Sequence, residues 1–256
     1  MARKNGKIME RLQVICFYWE GDRWQSNVER YSCSDPFYAR NLKRAGNSDR
    51  ALVSKYVNNL FEGVSRYADR PFDFICFTNE DLDLAPGIEQ RSFPMVTTRG
   101  VLPRLYMFSE QSGLFGHQVL CLDLDVVVVG DLGPLMSYSG LFCARSKFKI
   151  GEEHKLDGDI MSFQAGREAE ARFWKPFVKD VKAAELLTQG RERYWMRYVA
   201  GDIADRWDVV TPKSVRSFKR HMGNSNKIPS GAAIISCHGI PRPHQVKGEW
   251  IKEYWS

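Results

Sequence analysis

Apolar residues fall along the chain in short, nearly unbroken runs separated by amphipathic stretches. Residues 12–19, 72–78, 119–122, 126–129 and 232–237 are rich in β-branched, aromatic and aliphatic side chains and lack strict alternation. That is the pattern of strands covered on both faces. Between the first two runs, Val53, Tyr56, Val57, Leu60, Phe61 and Val64 recur at helical spacing and predict a helix over 51–67. Further helices are predicted over 103–109, 168–182 and 192–199. Strands alternating with helices predict an α/β fold with a mostly parallel central sheet flanked by helices. No repeat, low-complexity tract or long linker interrupts the pattern, so a single domain over 1–256 is expected. Residues 145–230 are more polar and less regular, and 213–231, rich in Ser, Lys, Asn and Gly, reads as a loop.

Composition narrows the class. With 256 residues, 43% hydrophobic and 27% charged, the chain is neither disordered nor fibrous nor a disulfide scaffold. No run of about 18 apolar residues predicts a membrane-spanning helix. The basic N-terminus precedes an apolar patch, but Gln13 interrupts it, Glu20 ends it and no small-residue cleavage site follows. This reads as a first strand and not as a signal peptide. The six cysteines have no C-x-x-C spacing, which argues against a zinc ribbon or a thioredoxin motif. Cys16, Cys76, Cys121 and Cys237 sit in apolar runs as expected of buried free thiols, and a reducing, cytoplasmic compartment follows as the expectation. The net charge of +6 favours anionic partners such as nucleotides, lipid head groups or nucleic acid without choosing between them.

The most informative segment is VLCLDLDVVVVGDLGPL, residues 119–135. In a strand, positions i and i+2 share a face, so Asp123 and Asp125 are expected to project together. Two adjacent carboxylates repel unless a cation lies between them, and oxygen ligands suit magnesium or manganese. Two enzyme classes use such a pair. Haloacid-dehalogenase-like phosphohydrolases employ a magnesium-binding D-x-D, and Gly201-Asp202-x-x-Asp205 imitates their later acidic motif. Their D-x-D ends the first strand, however, whereas about a hundred residues precede it here. Nucleotide-sugar glycosyltransferases of the Rossmann-like GT-A fold carry a D-x-D after a middle strand, which fits this placement better.

From Leu12 to His244 the chain resembles the glycogenin and lipopolysaccharide-galactosyltransferase family, especially its bacterial and phage relatives. LQVICFYW resembles the family's first strand, FDFICFTNEDLD its strand ending in a Thr-Asn turn, and PRLYMF the helix that precedes the D-x-D. LDGDIMSF resembles the segment lining the donor sugar, and SCHGIPRPH the terminal H-x-x-G-x-x-K-P-W. The resemblance implies a GT-A, nucleotide-sugar-binding fold, with a nucleotide-binding half over about 10–130 and a sugar and acceptor half over about 131–250. It implies Asp123, Asp125 and His238 as ligands of manganese or magnesium. Arg104, Asp123, Gly239 and Arg242 are implied at the donor diphosphate, and Tyr18, Trp19, Thr78 and Asn79 at the nucleotide. The final run is expected to be a strand delivering His238 to the carboxyl edge of the sheet, where open α/β sheets bind ligands. His244 reads as a loop imidazole near the phosphates or as a surface residue.

The family pattern is not kept everywhere. Ser236 holds the position of the usual His, Arg242 replaces a Lys, Asp157-Gly158-Asp159 replaces Asn-Ser-Gly, and Asp202-Ile203 stands for an Asp-Gln pair. The implied reaction is metal-dependent transfer of a sugar from a UDP-sugar to an acceptor hydroxyl, with retention. An inverting enzyme instead needs a carboxylate base, for which Asp202 and Asp159 are the candidates. The acceptor implied is a saccharide of a glycan, and the basic segment KSVRSFKRH also admits a modified nucleic-acid base in DNA.

Overall fold

The computed structural model describes residues 3–4, 7–8, 11–19, 50–97, 99–223, 225 and 227–256. Strand β1 (Leu12–Tyr18) is an interior strand of a seven-stranded sheet. It pairs in parallel with β2 (Phe72–Thr78) on one side and with β4 (Gln118–Leu122) on the other. Between them come helix α1 (Arg50–Tyr67) and the edge strand β3 (Ile88–Arg91), which is parallel to β2. Beyond β4 the sheet continues with β7 (Leu156–Gln164), β6 (Phe142–Ser146) and β8 (Asp205–Arg206). β7 runs antiparallel to both β4 and β6, and the remaining pairs are parallel.

Continuous apolarity in the first strands has the expected cause, since both faces of the sheet are covered. Ile15, Phe17, Ile75, Phe77, Val119 and Cys121 face one core, with Leu102–Phe108 and Trp195 against them. Val14, Cys16, Phe74, Cys76, Leu120 and Leu122 face the other core, formed with Val57, Leu60 and Val64 of α1. Each fully buried aliphatic or aromatic side chain there contributes about 1.5–3 kcal/mol. Cys16, Cys76, Cys121, Cys143 and Cys237 are buried free thiols, while Cys33 lies outside the described residues. No helix among the described residues is long and apolar enough to cross a membrane.

Several expectations are corrected. Residues 232–237 do not extend the central sheet. Strand β10 (Ile234–Ser236) belongs to a separate three-stranded sheet, antiparallel to β5 (Val126–Val128) and parallel to β9 (Val215–Ser217). β9 also replaces part of the loop expected over 213–231; its Val215 and Ser217 are buried although its sequence reads as polar. The helix expected over 103–109 is a 3-10 helix, Leu102–Phe108. The one expected over 168–182 breaks at Asp180, which caps helix α2 (Val181–Thr188) by accepting from Ala183 N. Helices α3 (Glu192–Ala200) and α4 (Glu249–Tyr254) complete the elements needed below.

Candidate functional site

The site begins where β4 ends. Asp123, Leu124 and Asp125 form the turn between β4 and β5, not a strand, so the shared-face argument does not apply to them. Backbone bonds pin this turn from two directions. Asp123 N donates to Asp159 O of β7 at 2.8 Å, and Cys237 N donates to Asp125 O at 2.9 Å. The turn therefore joins the central sheet to the small sheet at the carboxyl end of β4, an edge where α/β sheets bind ligands.

Each carboxylate of the turn meets a guanidinium. Arg104, 3% exposed, donates through Nη1 to Asp123 Oδ1 at 2.6 Å and to Glu192 Oε1 at 3.0 Å. Its Nη2 donates to Gly158 O at 3.1 Å and to Cys121 Sγ at 3.2 Å. Burial opposes the charge of Arg104, but the anions around it, Asp123 foremost, hold its pKa well above the usual value. Arg242 donates to Asp125 Oδ2. The other oxygen of Asp125 is buried with no hydrogen-bond partner among the described residues. Arg242 sits at the start of a short turn, where its backbone N donates to Gln245 Oε1 at 2.9 Å.

A second ionic group lines the wall beside the turn. Arg145 of β6 donates through Nε to Asp159 Oδ1 at 2.6 Å, pairs with Asp157 Oδ2 at 3.1 Å and lies 3.9 Å from the centre of the Phe148 ring. Ser236 Oγ donates to Asp159 Oδ2 at 2.6 Å. Two departures from the family pattern, at 159 and at 236, thus meet in space. Burial pushes the Asp159 carboxyl up, but Arg145 and the Ser236 hydroxyl hold it below the usual carboxylate range. His238 is tied elsewhere, with Nε2 at 2.9 Å from Ser217 Oγ and its ring stacked 5.6 Å from Phe148. Burial and the nearby Arg145 push its pKa down, which favours the neutral imidazole.

These groups surround a cavity of about 590 Å³. Of the residues predicted from sequence, Arg104, Asp123, Asp125, Asp159, His238, Gly239 and Arg242 line it. Gly239 has φ of +75°, and a Cβ there would fall 2.9 Å from Lys219 Nζ. Tyr18, Trp19, Thr78, Asn79 and Asp202 are not among the lining residues. Trp19 is 3% exposed and packs edge-on against Phe17 and Phe93 in the core, and Tyr18 packs on the opposite face. Thr78 Oγ1 accepts from Glu80 N at 3.1 Å, and Asn79 exchanges two 3.0 Å bonds with the Phe93 backbone. These are turn and strand-end contacts. Asp202 is exposed on the surface 3.6 Å from Arg172, so its expected role as a base is not supported by its position. His244 bonds Tyr56 on α1 at 2.5 Å and also stands away from the lining. The expected triad of Asp123, Asp125 and His238 is not assembled, since no three His, Cys, Asp or Glu side chains converge as a metal site among the described residues.

Sequence reasoning passed over Arg145, Arg191, Glu192 and Arg193, all of which line the cavity. The available signal was the charge alternation Arg191-Glu192-Arg193 at the start of a predicted amphipathic helix.

No protein-family profile and no curated protein matches the sequence. Solved structures do match. The glycosyltransferase GlyE of Streptococcus pneumoniae TIGR4 superposes with a TM-score of 0.56 at 11% identity, covering 96% of this chain and 60% of GlyE. The apo structure of the bifunctional glycosyltransferase WbbM gives 0.54 at 12% identity, covering 95% of this chain and 49% of WbbM. The galactosyltransferase LgtC, in complex with donor and acceptor sugar analogues, gives 0.55 at 12% identity, covering 91% of this chain and 89% of LgtC. The chain thus spans less than two thirds of GlyE and about half of WbbM, but nearly all of LgtC. At such identities the likeness concerns the fold, and by that likeness this chain has the GT-A fold of these glycosyltransferases.

Proposed function

We propose that the protein is a metal-dependent glycosyltransferase that moves a sugar from a nucleotide diphosphate donor, a UDP-sugar, to an acceptor hydroxyl with retention. The observation that carries this reading is the meeting of Asp123, Asp125, Arg104 and Arg242 in one cavity at the carboxyl end of β4. The same fold in three glycosyltransferases supports it and disfavours a haloacid-dehalogenase-like phosphohydrolase. We read the chain as one domain whose two halves share this cavity.

The donor set suits a hard divalent cation, manganese or magnesium. Asp125 keeps a buried carboxylate oxygen without a hydrogen-bond partner among the described residues, and Asp123 is two positions away on the same turn. Asp123 and Asp125 would hold the ion, and His238 is left out of the set. When bound, such an ion offsets charge on the leaving diphosphate. Arg242 binds the diphosphate through its guanidinium, which suits planar, bidentate recognition of phosphate. Both terminal nitrogens of Arg104 are engaged, by Asp123, Glu192, Gly158 and Cys121, so it acts by fixing Asp123.

Retention is supported by the state of the candidate bases. Both Asp159 oxygens accept hydrogen bonds and its pKa is held down, which makes it a poor proton acceptor. On a front-face path the bond from the anomeric carbon to the diphosphate oxygen breaks as the bond to the acceptor oxygen forms, and the acceptor proton passes to the leaving phosphate. The acceptor hydroxyl belongs to a saccharide of a glycan or to a modified nucleic-acid base.

The test is release of UDP from a panel of UDP-hexoses with manganese. The reading expects release from at least one donor and its loss in Asp125→Ala. Release of inorganic phosphate from a simple phosphate ester, with no UDP release, would replace it with the phosphohydrolase.

A further inference from the structure

We propose that the cavity contains a second anion site, formed by Arg191 and Arg193, that takes a carboxylate or phosphate carried by one of the two reacting sugars. The proposal rests on the donor-binding reading above and specifies the substrate class.

The charges of the cavity are unevenly matched. At the D-x-D turn, Asp123 and Asp125 each pair with one guanidinium. Arg145 is matched by Asp157 and Asp159. Among the described residues, Arg193 forms an ion pair with the shared Asp157 alone, at 3.4 Å. Arg191 has no carboxylate within ion-pair distance among the described residues; its Nη1 donates to the Tyr194 hydroxyl at 2.6 Å. Arg191, Arg193 and Arg197 lie 5.0, 5.6 and 5.2 Å from the centre of the one Tyr194 ring. Three like charges lie around one ring, and the carboxylates beside Arg193, Asp157 and Glu192, are already shared with Arg145 and Arg104, so the group carries an excess of positive charge that suits an anion.

The backbone holds this group in place. Val101 N donates to Gly190 O at 2.8 Å, and Arg191 N donates to Thr188 O at 3.1 Å. Gly100 has φ of +61°, and a Cβ there would fall 2.1 Å from Gly190 O. No side chain other than glycine allows that approach. Gly100, Val101, Gln189 and Gly190 line the cavity with Arg191. The Arg191 backbone is thus held at a concave wall, and the Tyr194 hydroxyl holds its guanidinium there.

Neither Arg191 nor Arg193 pairs with Asp123 or Asp125 among the described residues; Arg193 pairs with Asp157 and Arg191 with the Tyr194 hydroxyl, so we assign their anion to a position apart from the diphosphate. A neutral hexose has no use for an unmatched guanidinium, whereas a uronic acid or a phosphosugar does.

The experiment is calorimetric titration, with manganese, of wild type, Arg191→Gln/Arg193→Gln and Arg191→Lys. UDP-glucose and UDP-glucuronic acid are the first probes. Glucose, glucuronic acid and glucose 6-phosphate are then titrated into UDP-saturated protein. If the anion is on the donor, wild type prefers UDP-glucuronic acid by about tenfold or more. If it is on the acceptor, an anionic monosaccharide binds and glucose does not. In either case the preference disappears in the double variant and is partly kept by Arg191→Lys. Indifference to charge in both arms, or a preference that survives the double substitution, overturns the proposal. Loss of all UDP binding with retained, Arg191-dependent binding of the anionic monosaccharides would refute the donor reading and leave the anion site standing.

Discussion

Strands β1 and β2, before the D-x-D turn, and strand β7, after it, are buried to similar depth by different means. In β1 and β2, Val14, Ile15, Cys16, Ile75, Cys76 and Phe77 are fully buried and touch mostly apolar neighbours. β7 also carries Ile160, Met161 and Phe163 into the core, but its first half brings Asp157 and Asp159 into the cavity wall against Arg145. The first half is shaped by non-directional burial, which tolerates small changes. The second half is shaped by directional ion pairs, where removal of one partner strands the other. Buried pairs add little net stability when complete and cost much when broken, so their role here is to aim groups at the cavity.

Breaking a pair should have the largest effect. Arg145→Met leaves Asp159 buried without its guanidinium and should cost about 3–5 kcal/mol in urea unfolding. Acid titration sharpens the contrast. The folded pKa of Asp159 lies below that of the unfolded chain, so its contribution is complete above about pH 4 and is lost as pH falls through the folded value. Stability measured against pH should therefore drop on that side in wild type and be flatter in Asp159→Asn. Ile15→Val, in the apolar half, should cost only about 0.5–1.5 kcal/mol by the same unfolding assay. Asp202→Ala should be the smallest change, within about 0.5 kcal/mol, because the side chain is 75% exposed. A large loss of activity in that variant would restore Asp202 as a base.

The same contrast explains what was legible in the sequence. The apolar run 72–78 coincides with β2, and the runs 12–19 and 119–122 match β1 and β4 to within one residue, because burial on both faces writes such a run. The sequence of β7 reads as a sugar-lining segment and not as a strand. Its polar positions Asp157 and Asp159 are satisfied by Arg145 and Ser236, partners distant in sequence that no local pattern reveals. Val215–Ser217 hid among basic and small residues for a similar reason: it needs only the register with Ile234–Ser236 to become a strand. At the site, Asp123, Asp125 and Arg242 were found by motif, whereas Glu192 and Arg191 required the fold to bring α3 to the D-x-D turn. Trp19 was a reasonable base-stacking candidate at a strand end, but Phe17 and Phe93 enclose it.

In the proposed function the D-x-D turn and Arg242 bind a nucleotide diphosphate together with a divalent ion. Calorimetric titration of UDP into wild type, Asp125→Ala and Arg242→Gln, with and without manganese, tests it most directly. The account predicts manganese-dependent binding to wild type, loss of the manganese dependence in Asp125→Ala, and weaker binding by about tenfold or more in Arg242→Gln. UDP binding that is equally tight in all three proteins, or absent from wild type both with and without manganese, would contradict it.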